Sequence, residues 1–367
     1  MKFLTTILGL APFALGAPAP SLESGLNVDV KLDLGLGGTG QASPLDVKLE
    51  MQGNSEVKAV VTNKAERSLK LLKVGTLLDS IPVEKVAVSS KDGAIPFRGI
   101  KLRMLEDDLP DDAFQPISAG ESVSVLFDLA ELYDLSSGGL FKVSTSGALS
   151  YAEAGSNSLT GAAPYTSNTI SATIDGLLAA SVHLSFLSKR VRIQDCKGDR
   201  LEVTKVALSN CASMANAAAK VASSGSSAKM QEYFKSSDLF TRIKVSNTLR
   251  SVADECSTLN GGISDYYCSD PYGFCKSGNV LAYTLASENY SAYCDLYFDR
   301  LPALASRCHG QDQGTTNIHE MTHLKQIKGT SDYGGYGYAH VQSLSRSQNL
   351  NHADTYSLFA QSIYFGC

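Results

Sequence analysis

Thr315-Thr316-Asn317-Ile318-His319-Glu320-Met321-Thr322-His323-Leu324 is the stretch on which the reading of this 367-residue chain turns. It contains His-Glu-x-x-His. Residues four apart on a helix share one face, so the imidazoles of His319 and His323 can grip a single metal ion. Glu320 then lies beside the metal rather than on it, placed to take a proton from an activated water. The flanking residues favour a helix. Thr315 or Thr316 can cap its start, and Ile318, Met321 and Leu324 supply an apolar face.

A catalytic zinc needs a third protein ligand and an open position. An extended pattern with glycine three and histidine six residues past His323 fails, because Gln326 and Gly329 stand there. No glutamate follows Glu320. The remaining candidates are Asp332, His340, His352 and Asp354. Gly329 can end the helix and turn the chain back, which brings Asp332 within reach of the metal. Asp354, at the start of the last predicted helix, is a supporting partner or a rival ligand. His340 and His352 read as ordinary surface or core histidines.

Further out, the chain divides in two. All eight cysteines lie after residue 190. An even count suits a disulfide framework in an exported protein. Residues 191–367 carry 16 basic and 16 acidic side chains, against 16 and 21 in residues 1–190. Lys189-Arg190, a dibasic pair of the kind cut in the secretory pathway, stands at the boundary. Residues 1–19, with the apolar run FLTTILGLAPFALGA and small residues after it, read as a signal peptide. The chain is thus expected to comprise a signal, a pro-segment over 20–190 and a mature domain over 191–367, secreted to the extracellular space.

The pro-segment is expected to be an all-β, sandwich-like domain. NVDVKLDLGL, VKLEM, EVKAVVTN, KVAVS and SVSVLFDL alternate apolar and polar residues with period two. The stretch 150–169 lacks a core pattern and reads as a loop. The segment has no cysteine, so any inhibition by it must be steric or act through a carboxylate or His183. The mature part reads as α+β, mainly helical with a small sheet. Helices are expected over 201–223 and within 230–259, the latter with Ser236 or Ser237 as a cap, and again near 299–308, 316–327 and 351–364. The stretch 279–298 suits a hairpin. Asn289-Tyr290-Ser291 is an acceptor sequon for N-glycosylation.

His-Glu-Met-Thr-His followed by Gly329-Thr330-Ser331-Asp332 and a Tyr-Gly step resembles the deuterolysin family of fungal metalloendopeptidases, the aspzincins. The resemblance extends over the mature segment, through CDLYFDRLP, NHADTYSLFAQSIYF and the terminal Cys367, and includes the signal, pro-segment and dibasic junction. It implies a zincin-like domain with one zinc held by His319, His323 and Asp332, and Glu320 as general base. It implies the pairs Cys196–Cys268, Cys275–Cys294 and Cys308–Cys367, leaving Cys211 and Cys256 for each other. GTSDYGGYG carries an extra residue before the Tyr-Gly step, so Tyr336 is the first choice as donor to the oxyanion, with Tyr333 an alternative by position. Tyr297 matches another tyrosine implicated in the family. The implied substrates are proteins, including basic ones such as histones and protamines. The pro-segment is implied as an intramolecular inhibitor or chaperone.

A net charge of −5 argues against a nucleic-acid partner, and no apolar run beyond the N-terminus is long enough for a membrane span. A monomer is the default. No Gly-x-Ser-x-Gly elbow supports a serine hydrolase. Two other readings remain: a secreted zinc-binding protein that no longer catalyses, and a disulfide-rich binding module in which Lys189-Arg190 stays uncut.

Overall fold

The computed structural model describes residues 43–187, 196–258, 262–276 and 279–367. The expected signal peptide, NVDVKLDLGL and Lys189-Arg190 lie outside these residues. In chain order the elements are β1 (Leu45–Met51), β2 (Glu56–Asn63), β3 (Leu69–Leu72), β4 (Ala87–Ser90), β5 (Gly93–Ala94), β6 (Lys101–Met104), β7 (Phe114–Ile117), β8 (Ser122–Asp128), α1 (Leu129–Leu132), β9 (Gly139–Ser144), β10 (Ser146–Ala152), β11 (Leu159–Thr166), β12 (Ile170–Ile174) and α2 (Gly176–Leu187). There follow α3 (Gly198–Ser224), α4 (Ser227–Phe234), α5 (Leu239–Cys256), β13 (Asp265–Tyr267), β14 (Val280–Leu285), β15 (Tyr290–Tyr293), α6 (Asp295–Arg300), α7 (Gln313–His323), α8 (Gly337–Ser343), α9 (Arg346–Asn349) and α10 (Ala353–Phe365). The class is mixed, with sheets and helices.

The period-two segments form strands because one face of each can be buried. Val57, Ala59 and Val61 of β2 point inward, as do Leu45, Val47 and Leu49 of β1, and they share a core with Leu132 and Phe141. The strands between 45 and 174 form three small sheets, ordered β1-β2-β8, β11-β10-β3-β7 and β12-β9-β4-β5. Two departures from an all-β sandwich stand out. Helices α1 and α2 are present, and β6 leaves these sheets to pair with β14. The stretch 150–169 is no loop: it contributes most of the β10–β11 hairpin. Its alternation is carried by alanine and glycine, and Gly161 lies against the Tyr151 ring, so a large apolar pattern is missing.

The fourth sheet is ordered β13-β15-β14-β6, and β14 is antiparallel to both neighbours. Beside it stands a helical layer. Ala215, Ala218, Ala219 and Ala222 of α3 share a core with Val245, Leu249 and Val252 of α5, and Cys211–Cys256 joins the two helices. Alanines on the contact face let helices approach closely. The other disulfides are Cys196–Cys268, Cys275–Cys294 and Cys308–Cys367, the pairing that the resemblance implies.

Helix starts differ from expectation in a consistent way. Asp238 caps α5 by accepting from Thr241 N at 2.8 Å, and Ser236 only supports that aspartate. Asp312 caps α7, with Thr315 closing a capping box. In both cases a nearby carboxylate outcompetes the expected hydroxyl, just downstream of it at α5 and three residues upstream at α7. α6 stops at Arg300, ahead of Pro302, and the expected helix over 299–308 is absent. Among the described residues no helix is long and apolar enough to cross a membrane.

Candidate active site

Helix α7 faces two ways. Ile318 and Met321 enter the core shared with α3, α5 and α10. His319, Glu320 and His323 are equally buried, but on the side of β14 and the segment 330–336. The helix is fixed at its start by Asp312, which also accepts from Ala305 N at 2.9 Å and from Gln361 of α10 at 3.1 Å. It ends at His323, four residues sooner than the pattern suggests. Gly329, with φ near +70°, reverses the chain. Thr330 N then donates to Thr322 O at 3.1 Å, and the two threonine hydroxyls meet at 2.9 Å. The return lays Asp332 over the two histidines.

The Nε2 atoms of His319 and His323 lie 3.0 Å apart. Asp332 Oδ1 is 3.3 Å from the first and 3.4 Å from the second, buried and without a hydrogen bond of its own. The outer nitrogens are occupied. His319 Nδ1 donates to Asp354 Oδ1 at 2.8 Å, and His323 Nδ1 donates to Thr330 O at 3.0 Å. Both Nε2 atoms and a carboxylate oxygen are therefore turned toward one point, the donor set a zinc ion takes. Asp354 sits behind His319, on the side away from that point. Its Oδ2 accepts from Gly337 N at 2.6 Å.

Charge at the site follows from these contacts. Burial pushes His319 down, but Asp332 and Asp354 outweigh it and hold the imidazole at about 9. Burial pushes His323 well below the usual range. Burial acts upward on Asp332, yet His323 and His319 keep it at about 2. His319 is therefore expected to carry a second proton at neutral pH, which a metal must displace. Zinc binding at pH 7 is expected to release about one proton, falling toward none as pH rises through 9. Calorimetric titration in buffers of different ionisation enthalpy reads this number directly.

Glu320 Oε2 accepts from the Thr284 hydroxyl of β14 at 2.5 Å, while Oε1 has no protein partner. Burial pushes this carboxyl up to about 7, suited to exchanging protons near neutrality. The Tyr336 ring centre lies 6.1 Å from that of His319, and its hydroxyl donates to Leu102 O at 2.9 Å. Tyr333 turns away and bonds Asn351 at 3.3 Å. Tyr297 packs against the first turns of α7, where its hydroxyl accepts from Asn317 at 2.8 Å. His340 and His352 are buried against each other, 5.1 Å between ring centres. Asn289 occupies the turn between β14 and β15 with φ near +52°.

The sequence reading missed three participants. Thr284 lies in a strand buried along its whole length and carries no local signal. Thr330 was visible only as part of Gly-Thr-x-Asp. Arg103 of β6 is almost fully buried and reaches Asp354. Nothing in its own neighbourhood announces a partner 251 residues away.

Residues 20–367 match the Deuterolysin metalloprotease (M35) family. The chain is 51% identical over 326 residues to a neutral protease 2 homolog of Colletotrichum graminicola, covering 89% of this chain and 93% of that one. It is 40% identical over 367 residues to neutral protease 2 of Aspergillus oryzae, covering 99% of each. Among solved structures, a zinc peptidase from Grifola frondosa matches 46% of this chain and 97% of its own, at 17% identity and a TM-score of 0.39.

Proposed function

The chain belongs to the deuterolysin family and is a zinc metalloendopeptidase, and from that premise we propose that it is exported as a zymogen, cut after Lys189-Arg190, and active as a monomer spanning Val191–Cys367 with one zinc. The observation that carries the catalytic reading is the convergence of His319 Nε2, His323 Nε2 and Asp332 Oδ1, with the free Oε1 of Glu320 on the same helix. Four disulfides, with no free cysteine among the described residues, support an oxidising destination.

A bound zinc supplies Lewis-acid polarisation of a peptide carbonyl and a water acidified toward neutrality. The protein supplies the rest. Glu320 Oε1 takes the proton of the attacking water and passes it to the leaving amine. Thr284 holds Oε2, which leaves Oε1 as the working atom. Asp354 fixes the tautomer of His319 so that Nε2 presents its lone pair. The Tyr336 hydroxyl, beside the ligands, is placed to donate to the developing oxyanion once its present acceptor leaves. Tyr297 supports the helix from behind, through Asn317.

Substrates are proteins or peptides. We assign basic proteins such as histones and protamines to this class, following the deuterolysin resemblance. Glycan at Asn289 belongs to the same exported form. The intact mass of the secreted protein tests the proposal. A start at Val191, with histones cut faster than casein, is expected. A secreted, active species that keeps its residues upstream of Val191 would overturn the zymogen reading.

A further inference from the structure

We propose that β6 is an autoinhibitory latch: Lys101–Met104 occupies, as a fourth strand on β14, the edge along which an extended peptide substrate lies, and its departure opens the site. The proposal deepens the reading of the chain as a zinc endopeptidase made as a precursor, and rests on it.

Three observations carry it. The first is the strand itself. β6 pairs antiparallel with β14, Leu102 opposite Tyr283 and Lys101 opposite Thr284. The other edge of β14 is taken by β15. Without β6, β14 presents a row of unpaired backbone groups, which is a template for an extended peptide. It is also the strand whose Thr284 touches Glu320.

The second is what the strand does at the ligands. The Leu102 carbonyl accepts from Tyr336, so a peptide carbonyl already sits on the hydroxyl assigned to the oxyanion. Arg103 bonds Asp354, the carboxylate that orients His319, and lies 3.3 Å from Glu106 Oε1. Lys101 Nζ donates to the Thr330 carbonyl that also holds His323. Three groups of the strand, the Leu102 carbonyl and the Lys101 and Arg103 side chains, thus engage residues at or beside the metal site.

The third is closure. His319, His323 and Glu320 are fully buried, and Asp332 is 9% exposed. Beyond β6 the chain is clamped: Leu105 N donates to Asn279 O at 2.6 Å, while Gln311 bonds both Glu106 N and Met104 O at 2.7 Å. A polypeptide cannot reach the ligands while this strand is seated. No thiolate is required, in keeping with a segment that has no cysteine.

The test uses the full chain made uncuttable by Lys189→Ala with Arg190→Ala, and the enzyme processed from the wild-type chain. The uncut precursor is expected to leave a fluorogenic peptide intact. Adding Arg103→Ala should raise cleavage at least tenfold, whereas Arg67→Ala, in an exposed pair with Glu153, should not. A fluorescein-labelled Gly99–Glu106 peptide should bind zinc-loaded processed Glu320→Gln protein by fluorescence polarisation, and its Arg103→Ala version at least tenfold more weakly. The binding arm does not depend on folding of the altered precursor. Zinc-loaded Glu320→Gln protein that captures neither peptide, while the wild-type processed enzyme cleaves, overturns the latch alone. A processed enzyme that holds zinc and cleaves nothing overturns the protease reading and the latch with it.

Discussion

Glu320→Gln is expected to leave zinc bound as in the wild type and to lower kcat by about a thousandfold or more, close to 4 kcal/mol of barrier. The side chain keeps its shape, and its Oε2 position can still accept from Thr284 at the observed 2.5 Å. The metal is untouched because neither imidazole nor Asp332 changes. What disappears is the free Oε1 as a proton acceptor. KM should move little, since the peptide binds through groups other than this carboxylate. Metal analysis and steady-state cleavage of one fluorogenic peptide by both proteins give the comparison. A kcat within tenfold of wild type would remove Glu320 from the role of base.

Asp332→Asn and Asp354→Asn should part company. Asp332 offers an unbonded oxygen 3.3 and 3.4 Å from the two Nε2 atoms, so loss of its charge should weaken zinc binding by at least about a hundredfold. Asp354 acts on His319 from behind, and its loss should cost roughly ten- to a hundredfold. In the uncut precursor Asp354→Asn has a second effect. It leaves buried Arg103 with Glu106, 3.3 Å away, in place of two carboxylates, a destabilisation of at most about 3–5 kcal/mol by analogy with other broken buried pairs. An enzyme cut after Lys189-Arg190, as proposed, lacks Arg103 and should be spared. Zinc competition against a chromophoric chelator, with thermal melts of both forms, separates the two carboxylates. Greater zinc loss from Asp354→Asn than from Asp332→Asn would exchange their roles.

Much of this architecture was legible locally. His319, Glu320 and His323 announce a site because a helical repeat of four is enough to juxtapose two ligands. The strands β1 and β2 show in their alternation because each buries one face in the same core, and β8 because Val123, Val125 and Phe127 pack half-buried against it. Asp332 was reachable only by elimination and by the turn at Gly329, since its approach depends on Thr330 folding back onto Thr322. The hairpin β10–β11 was hidden by small residues, which bury without looking hydrophobic. Caps were misplaced by a few residues because the competition between Asp312 and Thr315 is settled by geometry that composition does not encode. The partnership of β6 with β14 was wholly out of view. Long-range pairing leaves no periodic trace, and a buried arginine reads like any surface arginine until its carboxylate is known.

The most direct measurement is zinc content together with casein cleavage for the processed enzyme, before and after stripping with a chelator and after adding zinc back. A zinc endopeptidase built on His319, His323 and Asp332 should hold about one zinc per chain, lose cleavage with the metal, and regain it with about one equivalent. Undiminished cleavage by the stripped protein, or a fully zinc-loaded processed enzyme that cuts nothing, would contradict it.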